Sequence, residues 1–153
     1  MADAPQMGMI LFATDFSETS VKAGRTAVQF ARHFRARVHV LHVVPPATDP
    51  TFAPGELAEA VAALGPDLTI TSEIGSGRPA RQIVACARRQ SADLIVIGTH
   101  GRTGLSHVVL GSVAESVIRR APCRVLIVPS RIPDESDELP PTPGEDSAGS
   151  PRG

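Results

Sequence analysis

The sequence contains no tryptophan and no tyrosine, and its five phenylalanines are the only benzenoid side chains. A surface that stacks nucleic-acid bases is hard to build from so few rings, so no nucleic-acid partner is expected. Lysine is almost absent as well: Lys22 stands alone and arginine carries the remaining positive charge. No apolar run approaches the roughly 18 residues that span a bilayer, and no membrane association is expected. Met1 to Met9 include Asp3 and Pro5 and no basic-apolar export pattern, which points to the cytoplasm. Cys86 and Cys123 form neither a CxxC pair nor a disulfide framework; each stands in an apolar stretch and reads as a plain buried thiol. The lysine-bearing motif G-x4-G-K-[ST] is missing, which excludes P-loop chemistry. His33, His39, His42, His100 and His107 show no helical pairing with a nearby acid, so no metal site is expected, and His39 and His42 read as structural.

What is present divides in two. Residues 131–153 hold five prolines, three glycines and two basic against six acidic groups, a net of −4, with almost no bulky apolar side chain. Such a segment cannot bury enough surface to offset its ordering entropy and is expected to be a disordered tail. Residues 1–130 hold thirteen basic and ten acidic groups, a net of +3, which suits an anionic ligand but is too weak to argue for DNA.

Within 1–130, strands and helices alternate. Met9–Ala13, Arg37–Val44, Leu68–Ile74, Asp93–Ile97 and Arg124–Val128 read as strands, the first as a continuous apolar run suited to a sheet covered on both faces. Ser17 is placed to cap a helix reaching Phe34, with Val21, Gly24, Val28 and Ala31 at helical spacing. A short helix over Glu56–Leu64, about two and a half turns, buries Leu57, Val61 and Leu64. A third helix carries Ile83, Val84 and Ala87, and a fourth starts near Gly111 and stops before Pro122. The pattern predicts right-handed βαβ units around one parallel sheet, a Rossmann-like α/β class with helices on both faces. Ligands of such sheets sit beyond the C-terminal strand ends, which directs attention to Ala13–Asp15, Val43–Pro45 and Gly98 onward.

The stretch from Gly98 to Ser112 follows a strand and opens a helix. Close backbone approach, free N–H donors and a positive helix end are what a polyphosphate requires. Gly98 and Gly101 can open the turn, Gly111 and Ser112 can present amides and a hydroxyl, and Arg102 adds a cation. An ordinary glycine-rich βα loop whose glycines only relieve strain stays open as the alternative. Gly75-Ser-Gly-Arg-Pro-Ala80 satisfies the dinucleotide fingerprint in letters, but it follows the third strand and no acid ends the next one.

The spacing G-x2-G-x9-G-[ST], met by Gly98, Gly101, Gly111 and Ser112, resembles the ATP-binding signature of universal stress proteins. Ala13–Thr19 resembles that family's first loop, Leu41–Val44 its second-strand end, Gly77-x-Pro79-x3-Ile83 its third helix start and Ala121–Pro129 its last strand, so the likeness spans about residues 8–130. The resemblance implies a five-stranded sheet of order 3-2-1-4-5 and usually a homodimer, here through strand 123–128. It also implies that Ala13, Thr14 and Asp15 line the nucleoside, with Asp15 accepting from ribose hydroxyls, and that Val43 meets adenine through its backbone. Ile97 and Gly98 would pass beneath the nucleoside, and His100, Gly101, Arg102, Gly111, Ser112 and Val113 would surround the phosphates of ATP. Any Mg2+ or Mn2+ would be held mainly by those phosphates. The short helix Glu56–Leu64 departs from the family pattern and suggests a more open base pocket.

No second carboxylate accompanies Asp15 in sequence, and no positioned base can be named, so an enzyme is not expected. A nucleotide-binding stress-response regulator leads. A dimeric interaction module without nucleotide, or a weak ATPase or phosphotransferase, are the competing readings.

Overall fold

All six side chains from Met9 to Thr14 (β1) are buried, as a strand at the centre of a doubly covered sheet must be. β1 pairs in parallel with Arg37–Val44 (β2) on one side and Leu94–Gly98 (β4) on the other. Ile70–Ser76 (β3) and Arg124–Val128 (β5) complete a five-stranded parallel sheet of order β3-β2-β1-β4-β5, the expected order. The computed structural model describes residues 6–99 and 110–130. His100, Gly101 and Arg102 and the expected tail 131–153 lie outside the described residues. Among those described, no helix is long and apolar enough to cross a membrane.

Glu18–Phe34 (α1) starts where expected, with Ser17 Oγ accepting from Ser20 N at 3.2 Å. Its inner face is built from Ala23, Gly24, Ala27, Val28 and Ala31, so the helix lies close against β1. Val21, expected on that face, is 52% exposed instead. The buried stripe runs through Ser20, Ala23 and Ala27, because small side chains permit the closer approach. The helix ends on Arg35 in the left-handed region (φ 54°), and Ala36 N donates back to Ala31 O at 2.9 Å.

Ala53–Leu64 (α2) begins three residues ahead of the expected Glu56. Pro54 falls in its first turn, where a missing N–H costs nothing, so the Pro-Gly pair starts the helix rather than preceding it. Leu57 and Leu64 are buried and Val61 partly so. β3 lies two residues later than expected, in register with β2 through Val38↔Ile70.

α1 and α2 cover one sheet face over Ile10, Phe12, Val38, Val40 and Val96. Pro79–Arg89 (α3) and Ser112–Arg120 (α4) cover the other over Leu11, Leu41, Val43, Ile95 and Ile97. Asp93 Oδ2 accepts from Gly8 N and Met9 N at 2.8 and 3.0 Å, which ties the chain ahead of β1 to the start of β4. The strand order reverses across β1, so the crevice favoured for ligands opens above the C-terminal ends of β1, β2 and β4.

Candidate functional site

A cavity of about 750 Å³ occupies that crevice, within the range of small-molecule sites. Nine of the twelve residues expected from sequence line it: Ala13, Thr14, Asp15, Val43, Ile97, Gly98, Gly111, Ser112 and Val113. Leu41 and Ile83 supply apolar floor between the strands and α3.

The β1–α1 turn is fixed by its own side chains. Thr14 Oγ1 accepts from Phe16 N at 3.0 Å, and Asp15 Oδ1 accepts from Ser17 N at 3.0 Å and from Ser20 Oγ at 2.6 Å. These bonds hold Phe16 in the left-handed region (φ 65°), a conformation a phenylalanine adopts only under such constraint. Partial burial alone would raise the Asp15 carboxyl, but the bonds from Ser17 and Ser20 outweigh it and hold the group below its ordinary value of 3.8. Asp15 is therefore a fixed anion whose Oδ1 is spoken for. The Phe16 ring stacks on His42 with centroids 4.1 Å apart, and His42 Nδ1–H donates to Thr14 O at 2.8 Å.

Two glycines in the expected phosphate loop make contacts that the sequence did not show. A Cβ on Gly98 would lie 2.7 Å from Thr19 Cγ2, so this glycine is required for the close passage of α1. The Gly111 N–H is already engaged, donating to Thr99 O at 2.8 Å, which brings the chain on either side of residues 100–109 together. The first-turn N–H groups left for an anion are those of Ser112, Val113 and Ala114 in α4, which has no side-chain cap.

Sequence reasoning missed part of the wall. Phe16, Ser20 and His42 line the cavity, as do Thr48, Asp49, Phe52, Ala53 and Glu56 from the β2–α2 segment. Ala53 and Glu56 belong to α2, which starts earlier than expected, and Thr48, Asp49 and Phe52 precede it. Asp49 and Glu56 also add carboxylates that the linear sequence did not associate with Asp15.

The sequence profile of the universal stress protein family matches residues 7–129. This chain belongs to the universal stress protein family. A universal stress protein of Methanocaldococcus jannaschii is 38% identical over 136 residues, covering 78% of this chain and 80% of that relative. Among solved universal stress proteins, one in complex with cAMP superposes with a TM-score of 0.66 at 26% identity, over 80% of this chain and 97% of its own. One from Archaeoglobus fulgidus in complex with dAMP gives 0.65 at 26% identity over the same shares.

Proposed function

We propose that this universal stress protein binds an adenine nucleotide, ATP foremost, in the cavity above β1, β2 and β4, and acts in the cytoplasm as a nucleotide-dependent stress-response regulator. The observation that carries the reading is the convergence of the β1–α1 turn, the end of β2 and the uncapped first turn of α4 on one cavity. Solved relatives in complex with cAMP and dAMP support an adenine nucleotide as the occupant. Asp15 Oδ2 is the oxygen to receive ribose hydroxyls, since Oδ1 is bonded within the turn. Val43 offers backbone to the base, and the Ser112 and Val113 amides face the phosphates, with Gly101, Arg102 and His100 contributing from the glycine loop. A divalent cation, Mg2+ or Mn2+, is carried by the phosphates.

Binding rather than catalysis is the proposed role. A carboxylate held below its ordinary value by donors is a poor general base near neutral pH, and Asp15 is such a group. The exposed edge strand β5 suits pairing with a second copy, so we assign a homodimer through residues 123–128.

Thermal unfolding with and without ATP–Mg tests the reading: ligand at 100 times Kd adds roughly 2.7 kcal/mol. No stabilisation at millimolar ATP would overturn it. Phosphate release faster than about one per second would favour an enzyme instead.

A further inference from the structure

His39, Glu73 and Cys86 come from three different elements, β2, β3 and α3. One donor atom from each nevertheless lies within 4.8 Å of the other two. The group sits on the α3 side of the sheet, outside the nucleotide cavity. His39 is 4% exposed, and its Nε2 has no hydrogen-bond partner. Its Nδ1 lies 2.6 Å from Thr71 Oγ1, and with Nδ1–H donating there the Nε2 lone pair points toward Glu73 Oε2 at 3.6 Å. In that tautomer the buried Nε2 lone pair and the partly buried Glu73 oxygen repel unless a cation or a proton stands between them. Glu73 Oε1 is held by Arg89, which leaves Oε2 to face the histidine.

We propose that His39 Nε2, Glu73 Oε2 and Cys86 Sγ bind a divalent transition metal of the zinc class. Imidazole, carboxylate and thiolate are its ordinary protein ligands, whereas Mg2+ and Ca2+ take oxygen ligands. On binding, the Cys86 S–H gives its proton to solvent, and one thiolate plus one carboxylate neutralise the dication. Zinc bonds of about 2.0–2.3 Å set tetrahedral donors about 3.3–3.8 Å apart, so the His39–Glu73 pair already fits. No pair in the group needs to close by more than about 1.5 Å. The outer partners are in place: Thr71 orients His39, and Arg89 orients Glu73. Glu73 is partly exposed on the edge strand β3, which provides an entrance and a fourth position open to water.

The test uses the full chain, stripped with chelator and free of nucleotide, titrated with Co2+ by absorbance and Zn2+ by calorimetry. One equivalent should bind, with a thiolate-to-cobalt charge-transfer band that Zn2+ abolishes. Cys86→Ser, nearly isosteric, should lose the band, and Glu73→Gln, at a partly exposed position, should weaken binding. Thr71→Val keeps all three ligands and should lower affinity about 10–100-fold. Absence of uptake, or uptake without the thiolate band, would overturn the proposal and leave His39 and Glu73 as a proton-bridged pair. So would a band that survives Cys86→Ser. If Cys86→Ser does not fold, the wild-type band and its response to Glu73→Gln decide. None of these outcomes depends on nucleotide, so failure here leaves the proposed ATP site untouched.

Discussion

A methyl group added at Gly98 would stand 2.7 Å from Thr19 Cγ2 and 3.3 Å from Thr19 Cβ. Thr19 has little room to yield, being 7% exposed in the first turn of α1 and stiff at χ1 through β-branching. Gly98 itself is not in the left-handed region, so an alanine there is opposed by packing alone. Overpacking of this kind costs about 1–3 kcal/mol. The loss of unfolded-state freedom on replacing glycine returns about 0.4–1 kcal/mol. Gly98→Ala should therefore destabilise by about 1–2 kcal/mol and lower Tm by about 3–8 °C in a domain of this size. Thr19→Ser removes the offending methyl and should cost about 0.8 kcal/mol alone. Together the two changes should cost at least about 1 kcal/mol less than their separate effects added. Urea unfolding of the four proteins in the cycle measures this directly. Additive losses, or a Gly98→Ala protein as stable as the parent, would refute the packing argument. If the glycine served only phosphate approach, the alanine variant would lose ATP stabilisation while keeping its stability.

Other expectations follow from single contacts. Arg35→Gly relieves the left-handed C-cap of α1 and should stabilise by about 0.5–1 kcal/mol, read from the urea midpoint. Because the folded Asp15 carboxyl is held below 3.8, its contribution is complete above that pH and is lost as pH falls from there through the folded value. Asp15→Asn should consequently be less stable at neutral pH and show a shallower acid loss below about pH 4, measured as unfolding free energy against pH. Gly111 has φ −62° and ψ 154°, which valine adopts without strain. Gly111→Val should thus fold with at most about 1 kcal/mol lost at the helix cap, while its side chain abolishes the thermal shift given by ATP–Mg. Light scattering should find a homodimer, and a monomer at every concentration would refute pairing through β5.

The sheet was legible because β1, β4 and β5 are short apolar blocks of the kind a doubly covered parallel sheet accommodates, and because Ser17 and Gly111 mark helix starts. Two of the misjudged features, the buried face of α1 and the start of α2, turn on context that local sequence does not carry. Val21 fits helical spacing as well as Ala23 does, but spacing does not say how close α1 approaches the sheet, and close approach selects the small residues. Pro54 reads locally as a breaker and acts as a helix starter, a difference decided by whether its neighbours already lack N–H partners.

The site was legible at its strand ends and hidden wherever function depends on partners distant in sequence. Asp15 was found as an acid at the tip of β1. That its charge is fixed by two serines became visible only once the turn was closed. His42 was read as structural from its place on a strand; the stack with Phe16 requires a left-handed residue that no propensity predicts. Helical spacing brings together only metal ligands three or four residues apart, and no histidine here has an acid at that spacing. His39 instead lies near Glu73, two residues beyond its register partner Thr71, and near Cys86 of α3, a grouping set by the β2–β3 register together with the packing of α3 on the sheet. A parallel sheet places residues of equal height side by side, so side chains of independent sequence position share one face. In this fold chemistry gathers by register rather than by spacing, and motif reading reaches only the part that lies along one loop.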